Sequence, residues 1–82
     1  MEKVNWRSEF AGFLERLAAA KGGVSGVDWN RYAVTHYPDA EIEKMRRKVV
    51  RFAIRWTGGD WPELNCELYF EWARRIRNST VA

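Results

Sequence analysis

Residues 39–56 have the sequence DAEIEKMRRKVVRFAIRW, and their pattern distinguishes an all-α chain from a mixed one. At the 100° per residue of an α-helix, the apolar side chains cover one broad face. Asp39 is a favourable N-cap residue, and glutamates come early while arginines come late, an order that suits the helix dipole. The stretch therefore predicts a helix over about 40–56, at the centre of a bundle.

The second half of this stretch also fits a β-strand. Apolar and other residues alternate over 49–56 and again over 64–72, so the two segments could pair as a hairpin in an α+β fold. We favour helices because apolar residues also recur there at helical spacing, namely Trp61, Leu64, Leu68, Trp72 and Ile76. The predicted fold is an all-α bundle of four helices, with the hairpin as the alternative.

The other three helices are predicted from residues that start and stop helices. Their expected ranges are about 5–21, 28–36 and 61–77. The predicted starts are Asn5 for the first, Ser25 or Asp28 for the second, and Asp60 followed by Pro62 and Glu63 for the last. The predicted stops are Gly22 and Gly23 for the first and Pro38 for the second.

The size and composition of the chain exclude several classes of protein. The 82 residues are expected to form a single domain, 1–82, and a chain this short argues against a large catalytic cleft. The single cysteine, Cys66, allows no intramolecular disulfide, and with only one histidine, His36, the chain has too few Cys and His ligands for a structural zinc site. The sequence predicts no metal site and no cofactor.

The amino-terminal sequence lacks the apolar stretch of a signal peptide, and no run approaches the length of a membrane span. We therefore expect a cytoplasmic protein with no membrane partner. The net charge of +3 and the pI near 9.4 give a mild preference for anionic partners.

A narrow strip of cations lies opposite the apolar face of the third predicted helix. We call this strip the basic seam, and it consists of Lys44, Arg47, Lys48, Arg51 and Arg55. Guanidinium groups form bidentate bonds to phosphate and to carboxylate, so the seam suits a nucleic-acid backbone or an acidic protein surface. The alternative is a charged face that only keeps the domain soluble.

The position of Arg46 within the apolar arc requires it to pair with a carboxylate or to extend to the rim, and we favour the rim. The second and third predicted helices could form a helix-turn-helix motif. Acidic residues occupy the start of the presumed recognition helix, however, which argues against sequence-specific reading of the major groove.

Phe70 lies opposite a predicted apolar stripe of the last helix, which consists of Leu64, Leu68 and Trp72. An exposed phenylalanine near arginines is typical of protein contact sites. We therefore add Phe70, Arg74 and Arg77 to the predicted partner-binding residues, with a single surface aromatic as the alternative.

No set of residues predicts catalysis. His36 and Cys66 are the only candidates for a base and a nucleophile, and neither lies in a nucleophile motif. A carboxylate ladder on the last helix lacks an accompanying histidine, and salt bridges to Arg74 and Arg75 explain it better than metal binding; it consists of Glu63, Glu67 and Glu71.

The sequence therefore predicts a small non-enzymatic binding protein that docks its basic seam and exposed aromatics onto a macromolecular partner. By analogy with small phage and mobile-element accessory proteins, this would be an inhibitor or regulator of a nucleic-acid-processing complex. The expected partner is an acidic protein surface or a protein–nucleic-acid complex. The alternative is direct binding to DNA or RNA with weak sequence preference. The sequence leaves the oligomeric state open.

Overall fold

Helices form in all four places where the sequence predicts them. The structure, a computed structural model, describes residues 5–80, and it contains no strand in that range. The elements are α1 (Trp6–Ala19), α2 (an α-helical turn, Gly26–Asp28, continuing as a π-helical turn, Trp29–Ala33), α3 (Ala40–Arg55) and α4 (Glu63–Thr80). The alternative hairpin is wrong, because 49–55 lie in α3 and 64–72 lie in α4.

Side chains cap the starts of the first three helices as the sequence predicts. The hydrogen bonds run from the backbone N–H of Ser8 to Asn5, from that of Asp28 to Ser25, and from those of Glu41 and Ile42 to Asp39. Each cap satisfies N–H groups that have no partner within the helix.

The start of α4 and both ends of α2 differ from the prediction. The Pro62 carbonyl accepts the first backbone bonds of α4, from Asn65 and Cys66, so Asp60 lies outside the N-cap position. The second helix starts earlier and ends sooner than 28–36. Its last turn is π-helical, with the Val34 N–H bonded to the Trp29 carbonyl at 3.2 Å.

Helix α1, rather than α3, is the central helix. Its most buried side chains are Phe10, Phe13, Leu14 and Leu17, all with no exposed surface. Helix α4 packs most extensively against it and runs in the opposite direction, because the Trp61 N–H bonds the Lys21 carbonyl at the far end of α1 while Arg77 reaches back to Glu15. Helix α3 therefore covers one side of the α1–α4 pair.

The position of α3 is fixed by contacts at both of its ends. At its start, Arg7 of α1 donates hydrogen bonds to Asp39 and Glu41, each at 2.7 Å. At its end, the Phe52 ring packs edge-on against Trp61, with ring centroids 4.9 Å apart. Helix α3 consequently lies beside α4 and antiparallel to it.

The buried face of α4 is rotated relative to the predicted stripe. Leu64 is 78% exposed and Leu68 is 41% exposed, while Trp72 is half-buried. The buried face of the helix itself consists of Cys66, Tyr69, Ala73 and Ile76. Of the five apolar positions predicted from helical spacing, Trp61 and Ile76 are buried and Leu64 and Leu68 are exposed. Apolar residues recur every three or four positions on both faces, and packing of Tyr69 against Trp61 selects the observed one.

Gly22 joins the end of α1 to the start of α4. Its φ is +89°, and a Cβ there would lie 2.5 Å from the Trp61 ring. The Gly22 N–H also bonds the Leu17 carbonyl at 2.9 Å, which completes the turn that ends α1. The site therefore requires glycine for its backbone conformation and for the close approach of the ring.

We expect Gly22→Ala to lower the free energy of unfolding by about 2–4 kcal/mol, the sum of backbone strain and displacement of Trp61. Gly59→Ala is the matched control, because Gly59 has φ +76° but no atom within 4 Å of the added Cβ. Urea unfolding of the two variants separates strain from contact. Equal losses in the two variants would show that the Trp61 contact contributes nothing.

Within the described part of the chain, no helix has both the length and the hydropathy required to cross a membrane.

Candidate partner-binding surface

The basic seam forms a single exposed row along the outer face of α3. The seam faces outward because the opposite face of α3 is buried against the core through Ile42, Met45 and Val49. All five members of the seam are exposed. The structure thus brings together all five residues that the sequence places on this strip.

Most cations in residues 5–80 are neutralised by a neighbouring carboxylate. The paired ones are all arginines, namely Arg7, Arg16, Arg31, Arg46, Arg47, Arg74, Arg75 and Arg77. In the same range, those that form no ion pair are Lys21, Lys44, Lys48, Arg51 and Arg55. Four of these five belong to the seam, so uncompensated positive charge is concentrated on α3.

The carboxylate of Glu43, at one edge of the seam, is fully engaged in a local network. It accepts hydrogen bonds from the Arg46 guanidinium, from the Tyr37 backbone N–H at 3.0 Å and from Arg47 Nε at 3.1 Å. The hydrogen bond from Arg46 contributes most to holding the pKa of Glu43 well below its usual range. The Glu43 carboxylate is therefore already hydrogen-bonded to Arg46, Arg47 and the Tyr37 N–H.

Arg46 is buried rather than at the rim. Besides Glu43, it donates a 2.7 Å hydrogen bond to the Ala33 carbonyl at the end of α2. The expectation of a rim residue is wrong because the end of α2 supplies an acceptor that the sequence does not reveal. The residue ties α2 to α3 and is not available to a partner.

Glu41, at the other edge of the seam, is also engaged. It lies 2.7 Å from Arg7 and 3.8 Å from Arg75 of α4. The hydrogen bond between Arg7 and Glu41 is the largest contribution to the raised pKa of Arg7. Of the two acidic edges, Glu43 thus offsets only Arg47 of the seam, and Glu41 is paired with arginines outside the seam.

Phe70, Arg74 and Arg77 form a separate patch on the side of α4 that faces α1. Arg77 makes a bidentate pair with Glu15, at 2.9 and 2.7 Å, and this bond lowers the pKa of Glu15. Arg74 lies 3.4 Å from Glu71. The patch therefore exposes Phe70 among balanced charges, and the structure does not join it to the seam.

Apolar side chains flank the seam on both sides. Ile54 is 76% exposed and lines a shallow groove with Val50, Arg51 and Arg55. On the α4 side, Lys48 Nζ lies 5.9 Å from the centroid of the Trp72 ring. From the sequence, Ile54 lies on the apolar face of the third predicted helix and Trp72 on the apolar stripe of the last one. Ile54 is at the edge of that apolar face, next to the cations, and this position on the helix could have indicated its exposure.

The candidate base His36 and the candidate nucleophile Cys66 contact different residues in the structure. His36 is exposed and lies 3.3 Å from Glu43, whereas the buried Cys66 thiol contacts the Trp61 carbonyl. No group of three or more His, Cys, Asp or Glu residues within residues 5–80 is placed to hold a metal ion.

Comparison of the chain with protein-family models, with curated proteins and with solved structures gave no match.

Proposed function

We propose that this chain is a non-enzymatic binding protein that docks the basic seam of α3 onto an anionic surface of a larger macromolecule. The observation that carries the proposal is the separation of its cations into two groups. Within residues 5–80, arginines outside the seam form ion pairs with carboxylates of the chain, whereas Lys44, Lys48, Arg51 and Arg55 form none.

The physical basis is the cost of leaving like charges side by side. Cations three and four residues apart on a helix repel each other by a few tenths of a kcal/mol per pair, about 0.2–0.5 kcal/mol. Of the neighbouring carboxylates, Glu43 pairs with one member of the seam, Arg47, while Glu41 pairs with Arg7. The repulsion among the other four seam cations is therefore not offset by an ion pair within the described residues. An anionic partner relieves the repulsion, so the seam gains from binding.

An acidic protein surface is the partner that we favour, because exposed Ile54 and Leu68 flank the cations. Contact surfaces between proteins combine arginine with apolar side chains, whereas a phosphate backbone is bound by charged and polar groups and gains nothing from exposed aliphatic side chains. A role as an inhibitor or regulator of a nucleic-acid-processing complex fits such docking. That role and the cytoplasmic location stay predictions from the sequence.

Direct binding to DNA or RNA is the second candidate function. The seam extends from Lys44 to Arg55, eleven residue rises of about 1.5 Å or on the order of 16 Å, with no free carboxylate among its cations. Such a row could follow a phosphate backbone with weak sequence preference.

The experiment is a fluorescence-anisotropy titration with three labelled polyanions: random duplex DNA, random single-stranded RNA and poly-glutamate. If the four unpaired cations each neutralise one DNA phosphate, affinity for duplex should fall on the order of 10²-fold between about 50 and 200 mM salt. Lys44→Gln with Arg51→Gln should weaken binding to the bound polyanions about tenfold or more and should flatten the dependence on salt.

The matched control is Lys21→Gln with Arg31→Gln, two exposed cations outside the seam. Both double variants carry the same net charge, +3 − 2 = +1. The control should bind nearly as tightly as the unaltered chain. Equal weakening in both variants would show that net charge alone, rather than the seam, attracts the polyanion, and would refute the proposal.

A further inference from the structure

The seam lies beside an apolar row of side chains on the neighbouring helix α4. Helices α3 and α4 lie antiparallel, and Lys48 of α3 sits over the Trp72 ring of α4. On α4, Leu68 and Trp72 line a shallow depression together with charged and polar side chains of the same helix, namely Glu71, Arg74, Arg75 and Asn78. Arg75 also reaches Glu41, which lies at the α4-facing edge of the seam. The outer junction of the two helices is thus cationic on one side and apolar on the other.

The apolar row on α4 consists of side chains that the described part of the chain leaves wholly or partly exposed. Leu64 and Leu68 are one helical turn apart and rank among the exposed large apolar side chains of the described chain. Trp72 continues the row by another turn and is half-buried. Exposed apolar side chains arranged in a row beside a polar rim mark an interaction surface.

The seam and the apolar row lie side by side on the two antiparallel helices. The seam runs from Lys44 to Arg55, eleven rises of about 1.5 Å or on the order of 16 Å, and the apolar row runs from Leu64 to Trp72, eight rises or about 12 Å. An element that covers both must present an anionic row and an apolar row, side by side over about two turns. An amphipathic helix with one acidic flank meets both requirements.

We propose that the surface where α3 and α4 meet binds an acidic amphipathic helix of a partner protein. This inference rests on the proposed function of the seam and names the class of partner. The acidic flank of the helix lies along Lys48, Arg51 and Arg55, and its apolar face covers Leu64, Leu68 and Trp72. Nucleic acid would contact only the basic seam.

The probe is a labelled peptide of about 14 residues, made of Glu, Leu and Ala, with leucines at helical spacing and glutamates along one flank. A second peptide has the same composition in an order that forms no apolar face. We expect the amphipathic peptide to bind at least about tenfold more tightly than the shuffled one, because only it buries the apolar row. Poly-glutamate and random DNA serve as purely anionic probes.

Leu64→Gln with Leu68→Gln should abolish this preference and leave the binding of poly-glutamate unchanged. Val27→Gln is the control, because Val27 is 76% exposed, close to the 78% of Leu64, but lies on α2. Circular dichroism should show the same helix content in all variants. Since each substituted side chain is already exposed, a loss of binding is not expected to reflect unfolding.

The outcomes separate this inference from the proposed function. If both peptides bind equally, or if the leucine variant keeps the preference, the amphipathic partner is refuted while seam-dependent binding of polyanions stands. Tighter binding of DNA than of either peptide, unaffected by the leucine substitutions, would refute it in favour of nucleic acid. If Lys44→Gln with Arg51→Gln changes no binding, the proposed function fails and this inference fails with it.

Discussion

Glu43→Gln should lower the free energy of unfolding by about 3–5 kcal/mol, because it leaves the buried Arg46 guanidinium without its counter-charge. The substitution keeps the size of the side chain and changes only its charge and its acceptor capacity. Glu43 also accepts the Tyr37 N–H, which fixes the turn before α3. A domain of this size has a total stability of about 4–12 kcal/mol, so the variant is expected to be partly unfolded or close to it.

The measurement is urea unfolding followed by circular dichroism at neutral pH. Glu67→Gln is the matched control, because Glu67 is exposed and forms no ion pair within the described residues. It should change the free energy of unfolding by less than about 0.5 kcal/mol. A loss of similar size in both variants would show that the Glu43 network does not hold α2 to α3.

The pH dependence of stability provides a second test of the same network. The pKa of Glu43 is lower in the folded chain than its ordinary value of 4.5, chiefly because of the Arg46 hydrogen bond. The unfolded chain therefore binds a proton more readily, and the stability from Glu43 is full above pH 4.5 and declines as the pH falls below it. Glu43→Gln should lose less stability than the unaltered chain over that acidic range.

Phe13→Ala is expected to cost about 3–5 kcal/mol, an effect as large as that of Glu43→Gln but with an apolar cause. Phe13 is fully buried, and its ring stacks on Tyr32 with centroids 5.3 Å apart. It also contacts the rings of Phe10 and Trp29. Its removal leaves a cavity between α1 and α2 that the surrounding rings fill only in part.

Phe70→Ala is the control for the same change of side chain at a site that is 42% exposed. It should cost well under half as much, because less apolar surface returns to water and no enclosed cavity forms. Thermal unfolding of both variants against the unaltered chain checks the comparison. A Phe13→Ala variant as stable as Phe70→Ala would place Phe13 outside the cooperative core.

The sequence could predict features that depend on neighbouring residues. The caps at Asn5, Ser25 and Asp39 are confirmed, because each cap uses a side chain and N–H groups two or three positions away. The seam on α3 is likewise placed as predicted, because an amphipathic helix with a strongly charged strip has only one way to face a core.

Features that depend on another element could not be predicted in this way. The rotation of α4, which exposes Leu64 and Leu68, follows from the packing of Tyr69 against Trp61, and helical spacing is equally compatible with either face. Arg46 is buried because the Ala33 carbonyl at the end of α2 accepts its hydrogen bond. The position of Phe70 and Arg77 near α1, away from the seam, also could not be predicted, because it depends on how α4 packs against α1.

The division of the cations into paired and unpaired groups bears on how this protein can change over generations. Arg7, Arg46 and Arg77 join separate elements, so substitutions there are constrained by the need to keep a folded chain. Lys44, Arg51 and Arg55 form no ion pair within the described residues and can vary at little cost to the scaffold. A lineage could therefore retune its recognition of a changing partner, substitution by substitution, while each intermediate remains folded.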